Sequence, residues 1–440
     1  MRPIARPIAR PIARPIARPI ARPIARPMAR PVTQSLLGPA LGPWAGSLGL
    51  LATACADPSP ITPLPEIPPV DGDQVPSGWR APDGPCTLDV AEPSALVLTT
   101  TDFVTGALTV VDLRAETVTP DVAQGSPDAI PSSHGDYVLV LHRYQHDRLD
   151  VLDTERWSLV GQHGLGSSTS PSTNPHAVTI GRDGLAYVTL FAEPALRVLD
   201  LARPPAEAEV ARIDLSGFAD DDGNPEASLA VTCGDLVLVT AQRLDPSFGP
   251  HGTDWLIAVD TARGEALDLE PETPVPDGLP LLGEWVRQLR RDPTDPEGLT
   301  LLALSRGIER IELATGQRHW AVTPAAFADA GIDGRLLPQA FDVDADGELA
   351  FLAAYDRDFS QVRLYRVGLD GQDPTVPESF AAGFDSVERS LEVVGDRLWY
   401  GSTRAEATGL WLFDLGPETP VVLAGPLSTG LPPYSMVAIP

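Results

Sequence analysis

The chain contains no lysine: all 32 of its basic residues are arginine, and no function is drawn from that bias. Cysteine is nearly as scarce. Three cysteines in 440 residues, none in a CxxC pair, exclude a disulfide-dense scaffold and a cysteine-built zinc site. Seven histidines include no HExxH pair, and neither a nucleophile elbow nor a phosphate-binding glycine loop occurs, so the common hydrolase and nucleotide motifs are absent. Positive charge is short as well. Eight of the 32 arginines precede the first acidic residue, Asp57, which leaves 24 basic against 60 acidic groups beyond it. Such a surface repels nucleic acid and anionic lipid. What is abundant is proline (47), glycine (38) and a 43% hydrophobic content, enough for one large all-β domain.

Residues 1–27 repeat RPIA with proline at every fourth position, which no helix or central strand tolerates, so this part is expected to be disordered or untranslated. Met28 opens a better start. A short arginine-bearing segment, an apolar stretch broken by Pro39 and Pro43, and Leu51-Ala52-Thr53-Ala54-Cys55 follow in order. The breaks argue against a stable spanning helix. Segment 28–55 resembles a bacterial lipoprotein signal, which implies lipidation at Cys55, export, and a membrane anchor at the cell envelope, on the periplasmic or outer-membrane face. Residues 56–85 are proline-rich and read as an extended linker.

From about residue 94 one unit recurs: an apolar strand, a polar turn, and a second strand ending on an acidic residue. The second strands start at 108, 149, 196, 256, 308, 362 and 410, with LTVVDL, LDVLDT and LWLFDL as examples. Each has an apolar partner just upstream, such as YVLVLH (137–142) or LAYVTL (185–190). A third strand before each hairpin is clearest at 176–184, 229–235, 340–347 and 390–396, and a fourth follows at 209–215 and 318–324. Seven units of 40 to 60 residues with four strands each predict an all-β, seven-bladed β-propeller over 86–440. The last strand, 434–439, has no hairpin after it and is expected to close the ring as inner strand of the first blade, pairing with 95–100. CTLDVAE (86–92) is the competing choice for that place. Asp112, Asp153, Asp200, Asp260, Glu312 and Asp414, at the second-strand ends, are expected to cap turns.

PHAVTIGRDGLAYVTLF (175–191) is similar to the YVTN-type seven-bladed propellers, with Ala186-Tyr187-Val188-Thr189 where that signature begins. The resemblance covers roughly 94–440 as architecture but is clear as a motif in one blade. Related rings include lactonase-like enzymes, quinone-dependent dehydrogenases and non-catalytic surface proteins, so it leaves activity open.

His134, His176, Arg287, Gln339 and Tyr434 are placed near inner-strand starts of different blades, where they line the channel and offer contacts to a small ligand. Arg287, Arg290 and Arg291 form a basic cluster able to hold an anion, with Asp292, Asp295 and Glu297 close enough to neutralise it. DVDADG (342–347) opens like a calcium loop but has Ala353 at the twelfth position. Calcium is therefore an option there, and no other cofactor is called for. DDDG (220–223) leads into an inner strand and is expected to be a solvated loop near the channel mouth. Cys86 and Cys233 map to the first and fourth blades and are expected to remain two free thiols. The absence of a complete catalytic motif favours a monomeric, non-catalytic propeller that binds a protein or small ligand through its loops and channel mouth. A lactonase-like hydrolase with a channel active site is the alternative.

Overall fold

The structure is a computed structural model. It describes residues 69–88, 92–168, 170–245, 248–250, 252–332, 339–356, 358–369, 376, 379–386 and 388–440; the RPIA repeat, the signal segment with Cys55 and the first part of the linker lie outside them.

Seven antiparallel sheets stand around an axis among the described residues, and each runs from an inner to an outer strand. The middle strands read as continuous apolar runs because both of their faces are covered. Side chains alternate between faces along a strand, so Leu96, Leu98 and Met436 meet Trp399, Leu410 and Leu412 of blade seven, while Val97 and Ile439 meet Val138 and Val140 of blade two. The turn-capping expectation holds. Asp112, Asp153, Asp200, Asp260 and Asp414 each accept backbone N–H groups two or three residues on, as in Asp112 Oδ1 to Ala115 N at 2.8 Å. Glu312, one carbon longer, instead accepts from the Thr315 hydroxyl at 3.3 Å.

Blade one is closed by the C-terminus. Pro433–Ile439 pairs antiparallel with Ala95–Thr101, from Ala95 opposite Ile439 to Thr100 opposite Pro433. Blade four departs from the pattern, because its outer position holds only Glu265–Ala266 and Leu279–Pro280. A one-turn helix, Pro324–Asp329, lies between blades five and six and is capped by the Thr323 hydroxyl, which accepts from Ala326 N at 3.1 Å.

Two expectations are corrected here. The linker does not extend to residue 85, because 71–85 pack along blades four and five. The Trp79 indole donates to Leu313 O (3.0 Å), Gly78 N to Leu269 O (2.8 Å), and the Arg318 guanidinium to Asp71 O (3.2 Å) and Gln74 O (3.1 Å). Backbones touch so closely at Gly72 that a Cβ there would lie 1.8 Å from Arg318 O. Second, Cys86 and Cys233 are not free thiols but form a disulfide. Placing 86–92 in blade one put the two sulfurs across the channel from each other. Cys86 in fact bridges Cys233 on the inner strand of blade four, and the chain then passes to blade one, where Ser94 N donates to Ile439 O (2.9 Å).

Candidate ligand site at the channel mouth

Three cavities follow the inner strands. The first, of 350 Å³, lies where those strands start, and Arg143, Arg287, Arg389, Phe191, Phe248 and Trp285 are among its lining. A 140 Å³ cavity shares His176, Leu229 and Arg389 with it, and a 220 Å³ cavity beyond shares Arg290, Glu392 and Leu88 with the second.

Arg143, on the loop after the second strand of blade two (Tyr137–His142), is the anchor of the mouth. Its guanidinium donates to Asp128 (2.7 Å), Glu388 (3.0 Å) and the Tyr434 hydroxyl (2.6 Å), and that hydroxyl donates to Asp128 (2.9 Å). Burial pushes the Glu388 carboxyl up, yet Arg143, Arg389 and Arg287 together outweigh it and hold the group at about 2. Glu388 is therefore ionised and committed. Arg389 reaches it only at 3.6 Å. Arg287 has no hydrogen bond or ion pair from its side chain to any described residue, and its Nε is buried without a partner. Three guanidiniums against two carboxylates leave one net positive charge at the mouth of a chain whose net charge is −28.

The apolar wall is held just as deliberately. Asp254, fully buried, accepts from Trp285 N (2.9 Å) and Val286 N (2.7 Å), fixing the turn that presents Trp285 and Arg287. Burial keeps this carboxyl well above its usual range, against the pull of those two N–H groups. Trp285 and Phe248 both have left-handed backbone, φ 55° and 62°, a conformation costing about 1–3 kcal/mol for a bulky residue and concentrated at functional sites. His176 stacks on Phe191 with ring centroids 4.2 Å apart, and burial, reinforced by Arg143, holds the imidazole neutral.

The loop at 220–223 contributes indirectly. Its turn sets Asn224, whose amide donates to Phe191 O (2.8 Å) and to Glu226 (2.8 Å), and Glu226 in turn accepts from Leu244 N (2.8 Å).

Of the residues read from sequence, the structure brings His176 and Arg287 to the cavity and ties Tyr434 to it through Arg143. Gln339 precedes the inner strand of blade six and does not line this cavity. His134 is a correction: it ends its inner strand (Ala129–His134) rather than starting it, and lies exposed at the opposite end of the channel. Arg290 and Arg291 separate from Arg287. Arg290 pairs with Asp342 (3.0 Å) and Glu392 (2.9 Å), and Arg291 donates to Asp295 O (3.2 Å). Asp342, first of the DVDADG carboxylates, is thereby bound to Arg290 and also accepts from Val393 N (2.7 Å). Arg143, Glu388, Arg389, Phe191, Phe248 and Trp285 were not singled out in the sequence. Glu388-Arg389 stand just ahead of the inner strand Leu391–Val394, near the strand start that His176 marks in blade three, and comparing inner-strand starts across repeats would have found them.

A serine, histidine and aspartate also meet in blade two: Ser126 Oγ lies 2.9 Å from His142 Nδ1, and His142 Nε2 3.0 Å from Asp150. All three are buried, Ser126 N also donates to Nδ1 (3.1 Å), and none lines the mouth cavity, so this chain ties strands together.

No family model matches this chain, and no curated protein matches it in sequence. Among solved structures it is similar to a "putative 6-phosphogluconolactonase" from Bacteroides fragilis NCTC 9343, at 12% identity over 79% of this chain and 99% of that one, TM-score 0.51. It is also similar to a functionally unknown protein from Desulfotomaculum acetoxidans DSM 771, at 13% identity over 79% and 99%, TM-score 0.50. At such identities the likeness shows the fold, a seven-bladed β-propeller.

Proposed function

We propose that this protein is an exported, lipid-anchored propeller of the YVTN type that binds a small anionic ligand at its channel mouth without transforming it. The observation that carries the reading is the Arg287 guanidinium, unpaired among the described residues, facing a 350 Å³ cavity beside Arg389. That volume falls at the low end of ligand pockets, about 300–1,000 Å³. Binding is favoured over hydrolysis because, among the described residues, the mouth carboxylates Asp128 and Glu388 are both tied to Arg143, and burial beside Arg143 makes the neutral His176 imidazole a poor base.

Thermal unfolding in a series of small monoanions tests it. Formate, acetate and nitrate should raise the unfolding temperature in a saturable way, and Arg287→Met should abolish the rise while leaving the ligand-free transition within a few degrees. An equal rise in wild type and variant would contradict the reading.

Export is supported by the Cys86–Cys233 disulfide, since such bonds persist in oxidising compartments. Cys55→Ser should leave the precursor uncleaved or move the protein to the soluble fraction. Mass spectrometry that finds an unmodified mature start elsewhere would reject lipidation.

A further inference from the structure

Resting on that reading, we infer that the ligand is a monocarboxylate carried on a flat aromatic ring, its carboxylate between Arg287 and Arg389 and its ring against Phe191, Trp285 and Phe248. The charge sets the first half. One net positive charge suits one negative charge, and a planar guanidinium matches a carboxylate in two parallel hydrogen bonds. The wall sets the second. Three aromatic side chains line the same cavity as the two guanidiniums, from three different blades or their entry loops. Phe248 is 69% exposed, an apolar surface left open at the rim.

The backbone adds independent weight. Phe248 and Trp285 are both held at positive φ, and the fully buried Asp254 accepts the Trp285 N–H. Phe103 and Phe359 share the positive φ and the exposure, but of the three only Phe248 lines the cavity that holds the two guanidiniums. Neutral His176, stacked on Phe191 and lining the same cavity, adds a flat ring to that wall without adding a second positive charge. Phosphate and other compact anions would fill the guanidinium end and leave the aromatic wall in water.

Isothermal titration of the detergent-solubilised full chain with benzoate, cyclohexanecarboxylate, acetate and inorganic phosphate separates the possibilities. Benzoate should bind at least about tenfold more tightly than acetate, and more tightly than cyclohexanecarboxylate, whose ring has as many carbons but is puckered. Phe248→Ala, at an exposed position, should weaken benzoate about three- to tenfold and leave acetate unchanged. If acetate and phosphate match benzoate while Arg287→Met still removes all binding, the aromatic inference is wrong and the anion site stands. If nothing binds in an Arg287-dependent way, the anion site falls with it.

Discussion

Deleting residues 433–440 should abolish cooperative folding. The lost segment is the inner strand of blade one, and three of its side chains, Tyr434, Met436 and Ile439, are 6%, 5% and 3% exposed. Burying a large apolar side chain contributes about 1.5–3 kcal/mol, so the three together approach the whole net stability of a domain, about 5–15 kcal/mol. The deletion also uncovers the hydrogen-bonding edge of Ala95–Thr101 and removes the Tyr434 hydroxyl from Arg143. Expression should give insoluble protein, or soluble protein with no sigmoidal denaturant transition. Met436→Ala, which keeps the strand, should fold and lose about 2–5 kcal/mol. A truncated protein that melts within a few degrees of wild type would show that the ring does not depend on its closure.

Arg143→Met should cost about 3 kcal/mol at neutral pH, because it strands the Glu388 and Asp128 carboxylates that the guanidinium now pairs. The effect carries a pH signature. Glu388 is depressed from 4.5 to about 2, so its contribution is fully present above about pH 4.5 and is lost as pH falls towards 2. Urea unfolding at several pH values should therefore show the gap between wild type and variant narrowing over that window. A gap independent of pH would mean that Arg143 acts by packing and not by charge.

The fold was legible because a propeller writes itself locally. Each hairpin lies within one stretch of chain, both faces of its strands are buried, and an acidic turn residue follows at the same place in nearly every blade, as at Asp112 and Asp414. Even the long-range closure was readable, since Met436, Val437 and Ile439 form an apolar strand with no hairpin after it. The site was much less legible. Its members come from loops of several blades, where no periodicity marks a side chain as facing the axis. Arg287 stood out as a positive charge in an acidic chain, but its neighbours Arg290 and Arg291 pointed to the wrong cluster, since strand geometry sends them to other partners. The linker failed for a related reason: proline content describes the backbone's stiffness and says nothing of Trp79, which docks it. The disulfide was hidden by a different segment: reading 86–92 as part of blade one separates Cys86 from Cys233, which it bridges on blade four.

The most direct test of the channel-mouth site is anomalous diffraction from a crystal grown with 4-bromobenzoate. The account predicts a bromine peak among Phe191, Trp285 and Phe248, with the carboxylate density between Arg287 and Arg389. A fully occupied bromine elsewhere on the protein, with the mouth empty, would contradict it.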